Sequence, residues 1–144
     1  MSTIGHPLSD LANMMTPFYT ARLDGGKVRN AHKGFLPGAT PGLPTPAEIA
    51  ELYFETVAAQ TAGSSSRAVR VSESAAERER ELQWAQAFNI FRQAAICQGI
   101  AARQASRQAS SELAAGYANA RAPLAEFAWE LVQDVARQSE KARL

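Results

Sequence analysis

The sequence is poor in the residues from which reactive and metal sites are built. It holds one cysteine, Cys97, and two histidines, His6 and His32, with no Cys-x-x-Cys, His-x-x-His or His-Glu-x-x-His spacing. An internal disulfide is therefore excluded, and a zinc-type cluster has no local pair of ligands to start from. Cys97 lies in an uncharged stretch, which favours a buried packing thiol over a nucleophile. The patterns G-x-x-x-x-G-K-[ST], G-x-G-x-x-G and G-x-S-x-G are absent, and Gly25-Gly26-Lys27 fits a turn better than a phosphate cradle. The expectation is a chain that is not an enzyme, with no catalytic residues, cofactor or metal.

An excess of charge of one sign is also missing. Fifteen basic residues face 14 acidic ones, for a net charge of +1, so no long-range field steers the chain toward nucleic acid or an acidic membrane. Long apolar runs are lacking too. The most apolar window, 82–102, is broken by Arg92 and carries four glutamines and one asparagine, too polar for a bilayer span. No basic start followed by an apolar run is seen, so a reducing, cytoplasmic setting is expected, or incorporation in a virion or other large particle.

What is present is unevenly placed. Five of the seven prolines fall in residues 1–45, and "FLPGATPGLPTP" (35–46) repeats proline every two to four residues. Each proline lacks a donor and restricts its predecessor, so 1–45 is expected to be an extended arm. Within it, "TARLDGGKVR" (20–29) has the turn chemistry of a small β-hairpin with Leu23 and Val28 on one face. Phe18, Tyr19, Phe35 and Leu36 are the arm's expected anchors.

From residue 46 the pattern is helical. Thr45-Pro46-Ala47-Glu48 reads as a capping box with proline in the first turn, and Ile49, Leu52, Tyr53 and Val57 follow at helical spacing, predicting a short helix over 46–62. "GSSSRAVRVS" (63–72) reads as a linker over 63–73. Ser74-Ala75-Ala76-Glu77 repeats the capping pattern, and the next proline is Pro123. A rod of about 70 Å is expected between them, weakened at Gly99 and Gly116. Pro123 is expected to separate it from a last helix near 124–141 whose apolar face is Leu124, Phe127, Ala128, Leu131, Val132 and Val135. The fold class is thus all-α, with residues 74–144 forming a helical hairpin or a multichain bundle.

The long helix carries one stripe that is bulky at its start and narrow further on: Trp84, Phe88, Phe91, Ala95, Gly99, Ala102, Ala109 and Leu113. Together with Phe127, Leu131 and Val135 it forms the expected helix-packing interface. A last helix of about 27 Å covers only part of a 70 Å stripe, so the remainder is expected to pack on other chains. The repeated unit RQAS at 103–106 and 107–110 lies in this narrow region.

Arg22, Lys27, Arg29 and Lys33, with aromatics among them, are the candidate anion contacts of the arm, and Arg103 and Arg107 are those of the rod. The arm sums to only +2, so nucleic acid stays a disfavoured partner. Glu77, Glu79 and Glu81, interleaved with Arg78 and Arg80, read as a solvated first turn.

Arginine outnumbers lysine twelve to three, as in proteins of GC-rich bacterial genomes and their phages. The Ala/Gln/Arg/Ser-rich half, 75–144, resembles in composition the internal and ejection proteins of phage virions and other helical assembly subunits, which implies a bacterial or phage setting. The leading expectation is a non-enzymatic assembly subunit, a homo-oligomer or part of a larger complex, with its arm laid over neighbours. Two alternatives remain: a small helical adaptor or regulator binding nucleic acid or an effector through the basic arm, and a membrane-active helical protein using the window around Trp84–Ile100.

Overall fold

The computed structural model describes residues 6–28, 31–61 and 74–141. Among the described residues there are four α-helices, α1 (Leu8–Thr20), α2 (Pro46–Thr61), α3 (Ala75–Ala105) and α4 (Ala114–Lys141), with a 3₁₀ turn at Lys33–Phe35. α3 and α4 pack along one another as a hairpin, α1 lies on α3, and α2 touches α1. The expected all-α hairpin is therefore present, and among the described residues there is no strand.

The extended arm is replaced by a helix. Leu8, Leu11, Ala12 and Met15 are buried at helical spacing, and that stripe packs against Leu82 of α3 and Ala50 of α2. Pro17 sits inside α1, late enough that only the last turn loses a donor. Two threonines of that turn bond back to the backbone: the Thr16 and Thr20 hydroxyls donate to the Ala12 and Thr16 carbonyls at 3.1 Å each.

The turn chemistry at 24–26 is present without the hairpin. The Asp24 carboxylate accepts from the Gly26 N–H at 2.9 Å, and the Asp24 carbonyl accepts from Lys27 and Val28 at 3.0 and 2.9 Å. The residues on either side do not pair as strands. Leu23 and Val28 pack instead on the α3–α4 core, whose burial is worth more than a two-stranded ladder standing alone. Arg29 lies outside the described residues, as does the 63–73 linker.

α2 follows its capping box. The Glu48 carboxylate accepts from the Thr45 N–H at 2.7 Å and the Thr45 hydroxyl at 2.9 Å, and the Glu48 N–H donates to that hydroxyl at 3.2 Å. These bonds, the backbone one foremost, hold the Glu48 carboxyl below its ordinary value. Tyr53 of α2 ties the helix to the start of α1, its hydroxyl donating to the Pro7 carbonyl at 3.0 Å.

The long rod ends earlier than the next proline. α3 stops at Ala105, and Arg107 takes a left-handed conformation at φ 55°. The Gln108 N–H donates to the Arg103 carbonyl at 2.7 Å and the Arg107 N–H to that of Gln104 at 3.0 Å. This pair of bonds is a Schellman cap, with arginine where glycine is the usual residue. The first RQAS unit is the last turn of α3 and the second is the corner.

Pro123, expected to divide two helices, lies inside α4. Its missing donor and ring clash cost about 3 kcal/mol. Ala118 and Ala120 before it, and Leu124, Phe127 and Ala128 after it, are buried. Leucine and phenylalanine alone offset that cost at about 1.5–3 kcal/mol each.

Candidate protein-docking face

α3 presents three faces, and two are used by its own chain. Ile90, Ala94 and Cys97 meet Ala120, Leu124 and Phe127 of α4 in the main core. Leu82, Gln86 and Asn89 are buried on a neighbouring face, where α1 docks. Asn89 Nδ2 donates to the Thr16 hydroxyl, and the Arg92 guanidinium donates to Asn13 Oδ1 at 2.9 Å and to Asn89 Oδ1 at 2.8 Å. The α1–α3 joint is thus fixed in register by amide and hydroxyl groups as well as by apolar contact.

The third face holds the aromatic stripe, and it turns away from the core. Trp84 is 48% exposed, Phe88 65% and Phe91 59%. Ala95, Gly99 and Ala102 continue the stripe and are exposed as well. Of the residues expected to pack helix on helix, Phe127 and Val135 are buried and Leu131 is half-buried against the core. Leu113 is exposed in the α3–α4 corner, where Ala109 is half-buried. The expectation that the bulky stripe meets α4 is thereby corrected. The face that does meet α4 and α1 carries Gln86 and Asn89 and many alanines, so bulk alone points to the wrong side of the helix.

α4 widens the exposed face. Trp129 is 61% exposed, and with Ala125 and Val132 it lines a groove of about 360 Å³ against Trp84, Phe88 and Phe91. On the other side of the Trp84–Phe88 ridge lies a hollow of about 380 Å³, closed by His6 and Ser9 at the start of α1 and by Ala85 and Arg92 of α3. Trp129 was missed by periodicity because it lies beside the Leu124, Ala128, Leu131 stripe rather than on it. The signal for it is an apolar arc on α4 wider than one buried stripe requires.

The expected arm anchors serve the chain itself. Phe18 and Phe35 meet edge to face with centroids 5.1 Å apart, and Leu36 lines a small hollow beside them with Pro44 and Pro46. Tyr19 joins the two core clusters. Burial, with Glu79 adding to it, pushes the Tyr19 phenol above its ordinary value. Residues 6–28 and 31–45 do not form an extended arm, since α1 and the proline-rich segment after it fold onto their own chain.

Among the described residues the candidate anion contacts stand at two separate places. The Lys33 ammonium donates to the Ala21 and Leu23 carbonyls at 2.9 and 2.7 Å, capping the end of α1 as a cation does best. Arg22 and Lys27 are exposed near that end, whereas Arg103 and Arg107 are exposed at the far corner of α3. Arg78 stands over the Phe54 ring at 5.4 Å. Cys97 is buried, which raises its thiol above the ordinary value. Among the described residues no three His, Cys, Asp or Glu side chains converge for a metal ion, and no helix is long and apolar enough to cross a membrane. No protein-family model, curated protein or solved structure matches the chain.

Proposed function

We propose that this chain is a non-enzymatic assembly subunit whose working surface is the aromatic face of the α3–α4 hairpin, covered in use by another protein chain. The observation that carries this reading is the cluster of Trp84, Phe88, Phe91 and Trp129, each about half or more exposed around one groove. At 150–250 Å² per aromatic side chain, the four leave about 450 Å² open to water. The largest apolar patch of a typical monomer is about 300–600 Å² and is often functional, and this one falls in that range. Covering it is worth about 11 kcal/mol per chain before the cost of association.

A protein surface fits this face better than the alternatives. The patch itself has no cation, and one of the arm's basic residues, Lys33, is spent on backbone carbonyls, which weakens the nucleic-acid reading. A helix lying in a membrane surface needs a basic polar face. Here Glu81, Glu126 and Glu130 stand among Arg80 and Arg92, and the balance gives no such collar.

The test is the native size of the full chain in extract of its own cells, for wild type and for Phe88→Glu and Trp129→Glu. Size exclusion is expected to show a complex that each variant dissolves, with helical content unchanged because both positions are exposed in the chain. A wild-type chain that elutes as a free 15.5 kDa monomer in that extract refutes the proposal.

A further inference from the structure

The geometry points to a second copy of this chain as the occupant of the aromatic face, the two α3 helices crossing antiparallel about a two-fold axis level with residue 93. This deepens the assembly reading above and rests on it. The argument starts from an asymmetry along the exposed stripe. Its first half carries Trp84, Phe88 and Phe91, and its second half carries Ala95, Gly99 and Ala102, all exposed. α4 repeats the gradient in the opposite chain direction. Trp129 stands beside the α3 aromatics, and Ala122 and Ala115, one and two further steps back along the same helical stripe, are exposed alanines.

A surface that is bulky at one end and hollow at the other is complementary to its own inversion. A two-fold axis supplies that inversion, because it places the same patch on both partners in opposite directions. In antiparallel register two of the three aromatics of α3 fall on small residues of the stripe, while Phe88 falls level with Gln98, next to Gly99. Trp84 of one copy faces Ala102 of the other, and Phe91 faces Ala95, so both of these large side chains enter a space left by a small one. A parallel pairing sets Trp on Trp and alanine on alanine, which crowds one end and leaves the other open.

Charge and area agree. Antiparallel pairing brings Arg103 of each copy within two residues of the level of Glu81 of the other, on the same flank of the stripe. Arg92, nearest the axis, is turned to Asn13 and Asn89 within its own chain, so it does not oppose its symmetry mate. The four aromatics leave about 450 Å² open, and the alanines of α3 and α4, with Val132, extend the patch toward the roughly 800 Å² per partner of a stable interface.

The experiment is sedimentation equilibrium of the purified full chain, comparing wild type with Phe91→Ala, Ala95→Phe and the double swap F91A/A95F. Both positions are exposed in the single chain, and circular dichroism checks that each variant remains folded. Wild type is expected to be a dimer. Phe91→Ala, which removes an anchor, is expected to weaken it about 30-fold, and Ala95→Phe, which sets ring on ring, by at least as much. The swap restores Phe against Ala in this register alone and is expected to recover most of the affinity. Spin labels at Ala76 or Ala105, on a Cys97→Ala background, are expected about 51 and 36 Å apart along the axis, whereas a parallel pair brings each to within one helix diameter.

A wild-type monomer, a swap no tighter than Ala95→Phe alone, or short distances at both labels overturns the inference. Should the purified chain be monomeric while the cell extract still holds a complex that Phe88→Glu dissolves, the antiparallel homodimer falls and the assembly reading stands. Free monomer in both preparations removes both.

Discussion

Two buried amides one turn apart on α3 are expected to respond to the same kind of substitution with opposite signs. Gln86 is 0% exposed, and neither its Nε2 nor its Oε1 has a hydrogen-bond partner. Asn89 is also buried, but its amide donates to the Thr16 hydroxyl and its oxygen accepts from Arg92 at 2.8 Å. An unpaired buried polar group costs about 1–3 kcal/mol, whereas a satisfied one contributes about 1 kcal/mol net per bond. Replacing Gln86 by methionine, close to it in shape, removes two stranded groups and is expected to stabilise the chain by about 2 kcal/mol. Replacing Asn89 by leucine removes these bonds and a longer one to the Ala12 carbonyl at 3.4 Å, and takes a partner from Thr16 and Arg92, for a loss of about 2 kcal/mol. For a domain of this size each kcal/mol moves the melting temperature by about 3–4 °C. The two variants should therefore melt roughly 14 °C apart, on either side of wild type. Thermal unfolding by circular dichroism reads this directly, at one fixed protein concentration so that self-association does not enter the comparison. A Gln86→Met chain that melts at or below wild type refutes the reasoning, since it means that the glutamine is paired in the folded chain.

Two further perturbations test local geometry. Arg107 caps α3 at φ 55°, a conformation that costs a non-glycine residue about 1–2 kcal/mol. Arg107→Gly removes that cost while adding freedom to the unfolded chain, for an expected net gain of about 0.5–1 kcal/mol in urea unfolding; a loss would mean that the guanidinium itself stabilises the corner. Glu48 is held below its ordinary carboxyl value by Thr45, so its stabilising effect is full above about pH 4.5 and disappears as the pH falls through the lower folded value. Melting temperatures at pH 7 and pH 3 should accordingly differ by less in Glu48→Gln than in wild type, and an equal difference would place the acid sensitivity elsewhere.

Local chemistry was legible in the sequence wherever a few neighbouring residues decide the outcome. The Thr45–Glu48 box starts α2 at Pro46 as its spacing predicts, and Asp24-Gly25-Gly26 makes a turn. Positions where packing competes with propensity were not legible. Pro17 looks like part of an extended arm and Pro123 like a helix boundary, yet each lies within a helix whose flanking residues are buried. The end of α3 was hidden for the opposite reason. Arg103–Ser110 contains neither glycine nor proline, and the left-handed residue that stops the helix is an arginine. The aromatic stripe was seen, but its direction was not. A helical wheel ranks faces by apolar bulk, and the buried face of α3 carries Gln86 and Asn89, whose acceptability inside depends on α1 and cannot be judged from α3 alone.

The direction of that stripe bears on what the chain is built to do. Packed internally, each of the four aromatics would add about 1.5–3 kcal/mol, more than any single hydrogen bond that joins α1 to α3. A sequence selected only for the stability of one chain would set α1 across the Trp84–Phe88 ridge. Instead α1 runs beside the ridge, fixed by Leu8, Leu11 and Met15 against Leu82, by the Asn89–Thr16 and Arg92–Asn13 bonds, and by Tyr53 on the Pro7 carbonyl. These contacts hold His6 and Ser9 at the edge of the ridge as one wall of a hollow without covering it. The joint therefore combines apolar and polar contacts that fix α1 in a single register while the bulkiest residues of α3 remain exposed.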